Sequence, residues 1–355
     1  PPQDAARDGT DATPVRDGAT TDHVDAASAS DGPTGDLAVA EDASPQDGAV
    51  GPDIAEVMDV ISSDGDASSD VAVAPDVDTR AIPATAALYT ADRMRFGIRD
   101  VAGAVAHALA APGTDNVILY VHGRGCGGGG EPNKSLTEAM PSLARDYTSA
   151  PILLFWPGSD DNCPLGFPEG RAREAAPALA AVVADLYRDQ LAHPRPSVRF
   201  TLLTHSMGSL VLEAATAVSG VDRLPPSVFA TTVINAGASA APDHAPWLAR
   251  VGFSGVVFTT VNNDDLVLTA AGIGRATRLG KSLSGVRLAA GRAYVDFTAN
   301  NVNHAYYIPS GQSGAAMMAF YQRVMNGLLY DFAASAGIAG TDTRDGAIVY
   351  RFNGR

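Results

Sequence analysis

Aromatic side chains are missing from the first 88 positions, and the first is Tyr89. Basic residues are nearly missing there too: residues 1–80 carry nineteen acidic groups but only Arg7, Arg16 and Arg80, a balance of −16. A chain of Asp, Ala, Gly, Pro and Ser cannot bury enough apolar area to offset its ordering entropy, which excludes a packed core and predicts a disordered acidic tail over 1–80. Self-repulsion keeps such a segment extended, as a spacer. Its Asp-rich phrases lack the EF-hand ligand spacing that ends in Glu, and only "DIAEVMDVI" (53–61) has spacing for a transient helix. The remainder, 81–355, has 22 basic and 21 acidic groups. The overall −15 therefore belongs to the tail and does not describe what the folded part binds; no nucleic acid is expected as a partner. No apolar run reaches the ~18 residues that span a bilayer. Cysteine is limited to Cys126 and Cys163, and counting alone leaves open one disulfide or two free thiols.

Past Tyr89 the chain alternates between short apolar runs and helical stretches. "NVILYVHG" (116–123), "PILLFWPG" (151–158), "VRFTLLTH" (198–205), "VFATTVINAG" (228–237), "GVVFTTVNN" (255–263) and "RAYVDFTAN" (292–300) read as strands, with an earlier one near 84–96. Helices are expected at 135–147, 171–191, 209–218 and 313–332; in the second, Leu179, Val182, Val183, Leu186 and Tyr187 form one stripe. This order predicts a single α/β domain over 81–355, with a mostly parallel sheet covered by helices on both faces. Ligands of such sheets bind at the carboxyl ends of the strands.

The polar residues after each strand therefore matter most. "THSMG" (204–208) ends the third run and opens a helix. A nucleophile elbow needs small residues on both sides of its serine, which Gly208 satisfies and Thr204 satisfies less well. The competing reading makes Ser206 an ordinary helix cap. Asp264 and Asp265 follow the next-to-last strand, and His304 follows the last. Serine, acid and histidine thus occur in the chain order of a hydrolase triad. In that arrangement His304 takes the proton of Ser206, and Asp264, with Asp265 as the fallback, orients the imidazole. The bland readings are a turn for the aspartates and a solvated loop histidine. Of seven histidines, only His304 follows the last strand. The glycines of "VHGRGCGGGGEP" (121–132) would let backbone N–H groups of Arg124 and Met207 form an oxyanion hole. A phosphate loop is the alternative, but Asn133 stands before Lys134 where such a loop needs glycine.

Together, "LYVHGRG", "LLFWPG" followed by "REAAPALAAVVADL", "LLTHSMGS", "VNNDDLVL" and "VNHAYYI" resemble the α/β-hydrolase superfamily, with greatest similarity to a bacterial branch of unknown function. The resemblance spans roughly 85–332 and implies an α/β-hydrolase fold. It also implies Ser206 as nucleophile, Asp264 as acid and His304 as base, with His122, Gly123, His205 and Gly208 as supporting motif residues. The implied activity is that of a serine esterase on a small-molecule or lipid ester, without cofactor or metal. Cys126 and Cys163 follow strands that are neighbours in that fold, so a disulfide could rim the pocket. An acidic small-residue tail ahead of such a domain resembles the spacer of an exported bacterial protein or lipoprotein, so an extracytoplasmic location is expected. Two other classes stay open: a non-catalytic binding module on the same fold, and a surface interaction protein whose tail is the active element.

Overall fold

The computed structural model describes residues 74–78, 81–111, 113–124, 135–158, 168–300, 304–308, 315–328 and 338–352. Residues 1–73 and both cysteines lie outside the described residues, as does the glycine run after Arg124.

The apolar runs form strands β1 (Ala87–Thr90), β2 (Arg95–Phe96), β3 (Asn116–Val121), β4 (Ala150–Phe155), β5 (Arg199–His205), β6 (Phe229–Asn235), β7 (Ser254–Val261) and β8 (Ala293–Asp296). A hairpin, β9 (Ile338–Arg344) and β10 (Ala347–Phe352), ends the described chain. The sheet order is β2-β1-β4-β3-β5-β6-β7-β8-β10-β9. Pairing is parallel from β4 through β10 and antiparallel at both edges. Every side chain of β3 and β4 is buried, as a parallel sheet covered on both faces requires. The fold is α/β with a mostly parallel sheet.

Helices α1 (Val101–Ala108), α2 (Met140–Asp146), α3 (Glu169–Glu174), α4 (Ala176–Ala192), α5 (Gly208–Ala215), α6 (His244–Ala249), α7 (Leu266–Gly272) and α8 (Ala315–Met325) connect the strands. The single helix expected over 171–191 is two, broken at Ala175. Pro177 is the cause: it lacks an N–H to donate to Arg173, and its ring crowds that carbonyl. The expected stripe on α4 is buried at Leu179, Val182, Val183 and Leu186, but Ala178, Ala180, Ala181 and Ala184 are buried too. The helix is enclosed rather than half-exposed, and its alanines allow that close approach.

Two features depart from the sequence reading. The terminal hairpin extends the sheet through β10, which runs parallel to β8. A signal for it exists: Asp345 and Gly346 both have positive φ, the two-residue turn that Asp-Gly favours. Residues 74–78, assigned to the tail, lie against the domain. Val77 is buried, and the carbonyl of Pro75 accepts from Arg188 Nη2 at 3.0 Å. A Cβ on Gly220 would stand 2.5 Å from the Asp76 carbonyl oxygen, so that contact needs glycine.

β3 has β4 on one side and β5 on the other, so the chain reverses its winding there. The crevice at such a point, outside the carboxyl ends of the strands, is where open α/β sheets bind ligands. Gly123 and Ser206 lie at those two strand ends.

Candidate active site

Ser206 follows the last residue of β5 and has φ of 51°, a left-handed conformation that costs a non-glycine residue about 1–3 kcal/mol. Its main chain is held from several sides. The N–H donates to Asn235 O at 2.9 Å. The carbonyl accepts from Ala238 N at 3.0 Å, Ser209 N at 3.1 Å and Ser209 Oγ at 2.8 Å. Such over-determination is what strain at a functional residue requires. A Cβ at Gly208 would lie 2.4 Å from the Val121 carbonyl oxygen, so the elbow closes only with glycine there. Thr204 fits although it is β-branched, because it remains an extended strand residue paired with Val121 and Ile234.

The backbone after β3 approaches the same point. A Cβ on Gly123 would lie 2.9 Å from Ser206 Cβ and 3.1 Å from His205 Nδ1. His122 holds this stretch down. Its Nδ1–H donates to Gly123 O at 2.7 Å, its Nε2 accepts from Trp156 N at 3.2 Å, and Trp156 Nε1 donates to His122 O at 2.9 Å. Its ring stacks on Trp156 with centroids 5.2 Å apart. Burial pushes the His122 pKa down to about 4, so the ring is neutral and structural.

On the other side of the sheet's carboxyl edge, His304 Nδ1 lies 2.7 Å from Asp265 Oδ2. The paired acid is therefore Asp265, the fallback, and not Asp264. β7 ends at Val261, two residues before the expected end, and the next residues make the turn. Asp264 is exposed, and its N–H donates to Asn262 Oδ1 at 2.9 Å. Asp265 is buried; its Oδ1 caps α7 by accepting from Leu268 N at 2.9 Å, which aims Oδ2 at His304. With Nδ1–H donating to Asp265, the lone pair of His304 is on Nε2.

Two tyrosines that sequence reasoning passed over set the position of His304. Tyr306 OH lies 3.0 Å from Thr260 Oγ1, and Tyr307 OH lies 2.7 Å from Tyr120 OH. The carbonyl of Tyr307 also accepts from Tyr147 OH. Burial raises the pKa of Tyr120 to about 12 and pushes Tyr306 and Tyr307 up as well, so all three stay neutral hydroxyls. The aromatic pair that begins two residues after His304 is the available signal. The ring of His205 lies between the two halves of the site, with centroids 4.8 Å from His304 and 5.0 Å from Tyr307.

Arg278, also missed, braces the loop that holds Ser206. Its Nη1 donates to Ala238 O at 2.9 Å and its Nη2 to Glu169 Oε1 at 2.8 Å. It lines an open cleft of about 640 Å³ with Glu169, Arg171 and Arg275. Among the described residues no group of three or more His, Cys, Asp or Glu is arranged to hold a metal ion, and no helix is long and apolar enough to cross a membrane.

No protein-family model matches the chain, and no curated protein matches it. Among solved structures it is similar to esterase PE8, at 16% identity over 59% of this chain and 93% of that one, with a TM-score of 0.32. It is also similar to an esterase of Pyrobaculum calidifontis, at 15% identity over 60% of this chain and 76% of that one, with a TM-score of 0.34. A third likeness is to YbtT, a type II thioesterase from the yersiniabactin pathway, at 12% identity over 62% of this chain and 96% of that one, with a TM-score of 0.30. These likenesses concern the fold.

Proposed function

We propose that the chain is a serine hydrolase acting on carboxylic esters, with Ser206 as nucleophile, His304 as general base and acid, and Asp265 as the residue that orients it. The observation that carries this reading is the His304–Asp265 pair, brought to the edge of the sheet where Ser206 occupies a strained left-handed turn. A serine hydroxyl is a poor nucleophile without a base in reach, and an imidazole whose Nδ1–H is occupied offers Nε2 for that purpose. Ser206 Oγ forms a bond to the ester carbonyl carbon while its proton passes to His304 Nε2. The carbonyl oxygen becomes an oxyanion facing the N–H groups of Met207 and Arg124. The intermediate collapses, the alkoxide leaves with the proton from His304, and water repeats the sequence to release the acid. Loss of one backbone donor typically costs about 3 kcal/mol of transition-state stabilisation.

Leu266 and Val267, apolar and exposed, follow Asp265 directly, and exposed Ile273 stands at the other end of the same helix. They give the rim an apolar side suited to the acyl part of a small-molecule or lipid ester. The extracytoplasmic location is part of the same proposal, and the acidic tail is its spacer.

Labelling with a fluorophosphonate probe tests the reading. Wild type is expected to take covalent label on the peptide containing Ser206, and Ser206→Ala to take none. Folded wild type that takes no label would return Ser206 to a helix-turn residue and the chain to a non-catalytic module.

A further inference from the structure

The chain beyond α7 returns to the nucleophile turn. Residues 277–280 run antiparallel to the loop that follows β6. Ala241 N donates to Thr277 O at 2.7 Å, Leu279 N to Ser239 O at 2.8 Å and Gly280 N to Gly237 O at 2.8 Å. A Cβ on Gly280 would stand 2.4 Å from Gly237 N, so the approach needs glycine. This loop holds Ser206 through Ala238 N, and it is itself strained, with φ of 48° at Ala236. Helix α7, whose first turn is capped by Asp265, lies outside the ladder. Residues 273–277, all exposed, separate the two.

The side chain of Arg278 closes that gap. Its Nε and Nη2 donate to Ala271 O, in the last turn of α7, at 3.2 and 2.9 Å. Its Nη1 donates to Ala238 O at 2.9 Å, and Nη2 also donates to Glu169 Oε1 at 2.8 Å. The side chain is only 5% exposed. A guanidinium presents its donors in a rigid planar fork, so the two carbonyls it joins are held at a fixed spacing. Stability alone does not account for the group, because apolar residues of similar volume often replace a buried ion pair at no cost or with a gain. An apolar side chain could not hold the Ala238 and Ala271 carbonyls to one another.

We propose that Arg278 is a positioning residue: its guanidinium fixes the last turn of α7 against the loop that grips Ser206, and so sets the separation of the Asp265–His304 pair from the nucleophile. This rests on the serine-hydrolase reading above. Arg278 does more than brace one loop, because the second carbonyl it holds belongs to the helix that Asp265 caps. Glu169 pairs the buried charge from the rim of the cleft.

Two substitutions separate this role from support of the fold. Arg278→Met keeps a buried stem and loses every donor. Arg278→Lys keeps the charge but presents its donors from a single nitrogen rather than across a fork. Displacing a reacting group by about 1 Å costs up to a hundredfold. On that scale both variants are expected to lower kcat on a soluble ester at least about tenfold with KM little changed, and to slow fluorophosphonate labelling of Ser206 in proportion. Urea denaturation of the same proteins reports support of the fold separately. Folded Arg278→Met with the kcat of wild type would overturn the inference alone, whatever its urea midpoint. So would Arg278→Lys as fast as wild type, the result that decides if the Met variant does not fold. Wild type that takes no label overturns the hydrolase reading and this inference together.

Discussion

The two halves of the candidate site are built by different means. The nucleophile half, at the ends of β3 and β5, is a matter of backbone. Two glycines let main chains approach, one serine is held in a left-handed turn, and main-chain hydrogen bonds keep it there. The acid and base half, at the ends of β7 and β8, is a matter of side chains. A carboxylate caps a helix and meets an imidazole 39 residues further on, and buried tyrosines hold that imidazole's segment. Backbone requirements leave their mark within a few residues. Side-chain pairings depend on where distant elements end.

The largest expected effect tests the side-chain half. Asp265→Asn is expected to lower kcat by about 10⁴, the scale seen when the acid of a triad loses its charge and the imidazole takes the wrong tautomer. Asp264→Asn should stay within about twofold of wild type, because the side chain is exposed and its N–H bond to Asn262 Oδ1 in the turn survives the substitution. Steady-state kinetics on a soluble ester measures both. The reverse result would restore Asp264 as the acid and break the comparison.

Gly208→Ala tests the backbone half. A methyl placed 2.4 Å from the Val121 carbonyl oxygen cannot be absorbed by a rotamer change, so β3 or α5 must move. Urea denaturation is expected to show a loss of about 3 kcal/mol, at the top of the usual range for single substitutions. Unchanged stability would mean that the elbow is softer than its geometry requires.

The last effect, spread over a range of pH, also tests the half around Ser206, at His122. Its folded pKa of about 4 lies below the ordinary histidine value of 6.5, so the unfolded chain binds the extra proton between those values. The stability from this buried neutral ring is fully present above pH 6.5 and is lost as pH falls toward about 4, by on the order of 3 kcal/mol. Unfolding midpoints at pH 7, 5.5 and 4.5 should fall less steeply in His122→Gln than in wild type. Some slope should remain, because burial also lowers the pKa of His205 and His244. Equal slopes would mean that His122 is not a neutral clamp on the loop beside Ser206.

Much of this arrangement was legible in advance, unevenly between the halves. The strands from β3 to β8 could be read from their apolar runs, and "THSMG" marked the elbow because a serine in that turn needs a small residue two positions on. The choice between two adjacent aspartates could not be read. It rested on β7 ending at Val261, after which Asn262 and Asp264 form the turn and Asp265 reaches the helix cap. The hairpin at 338–352 shows itself in the sequence only through its Asp-Gly turn, and Val77, though buried, shares the composition of the tail around it.

By itself the sequence determined the alternation of strand and helix, the place of the turn at Ser206 and the strand ends after which the two aspartates and His304 fall. Each depends on periodicity or on backbone freedom over a few neighbouring residues. Only the tertiary structure decided which carboxylate faces His304, that Tyr306 and Tyr307 anchor its segment, and that the ring of His205 packs against His304 and Tyr307. Those are contacts between side chains far apart in the chain, and a shift of one residue in the end of a strand turns a buried partner into an exposed one.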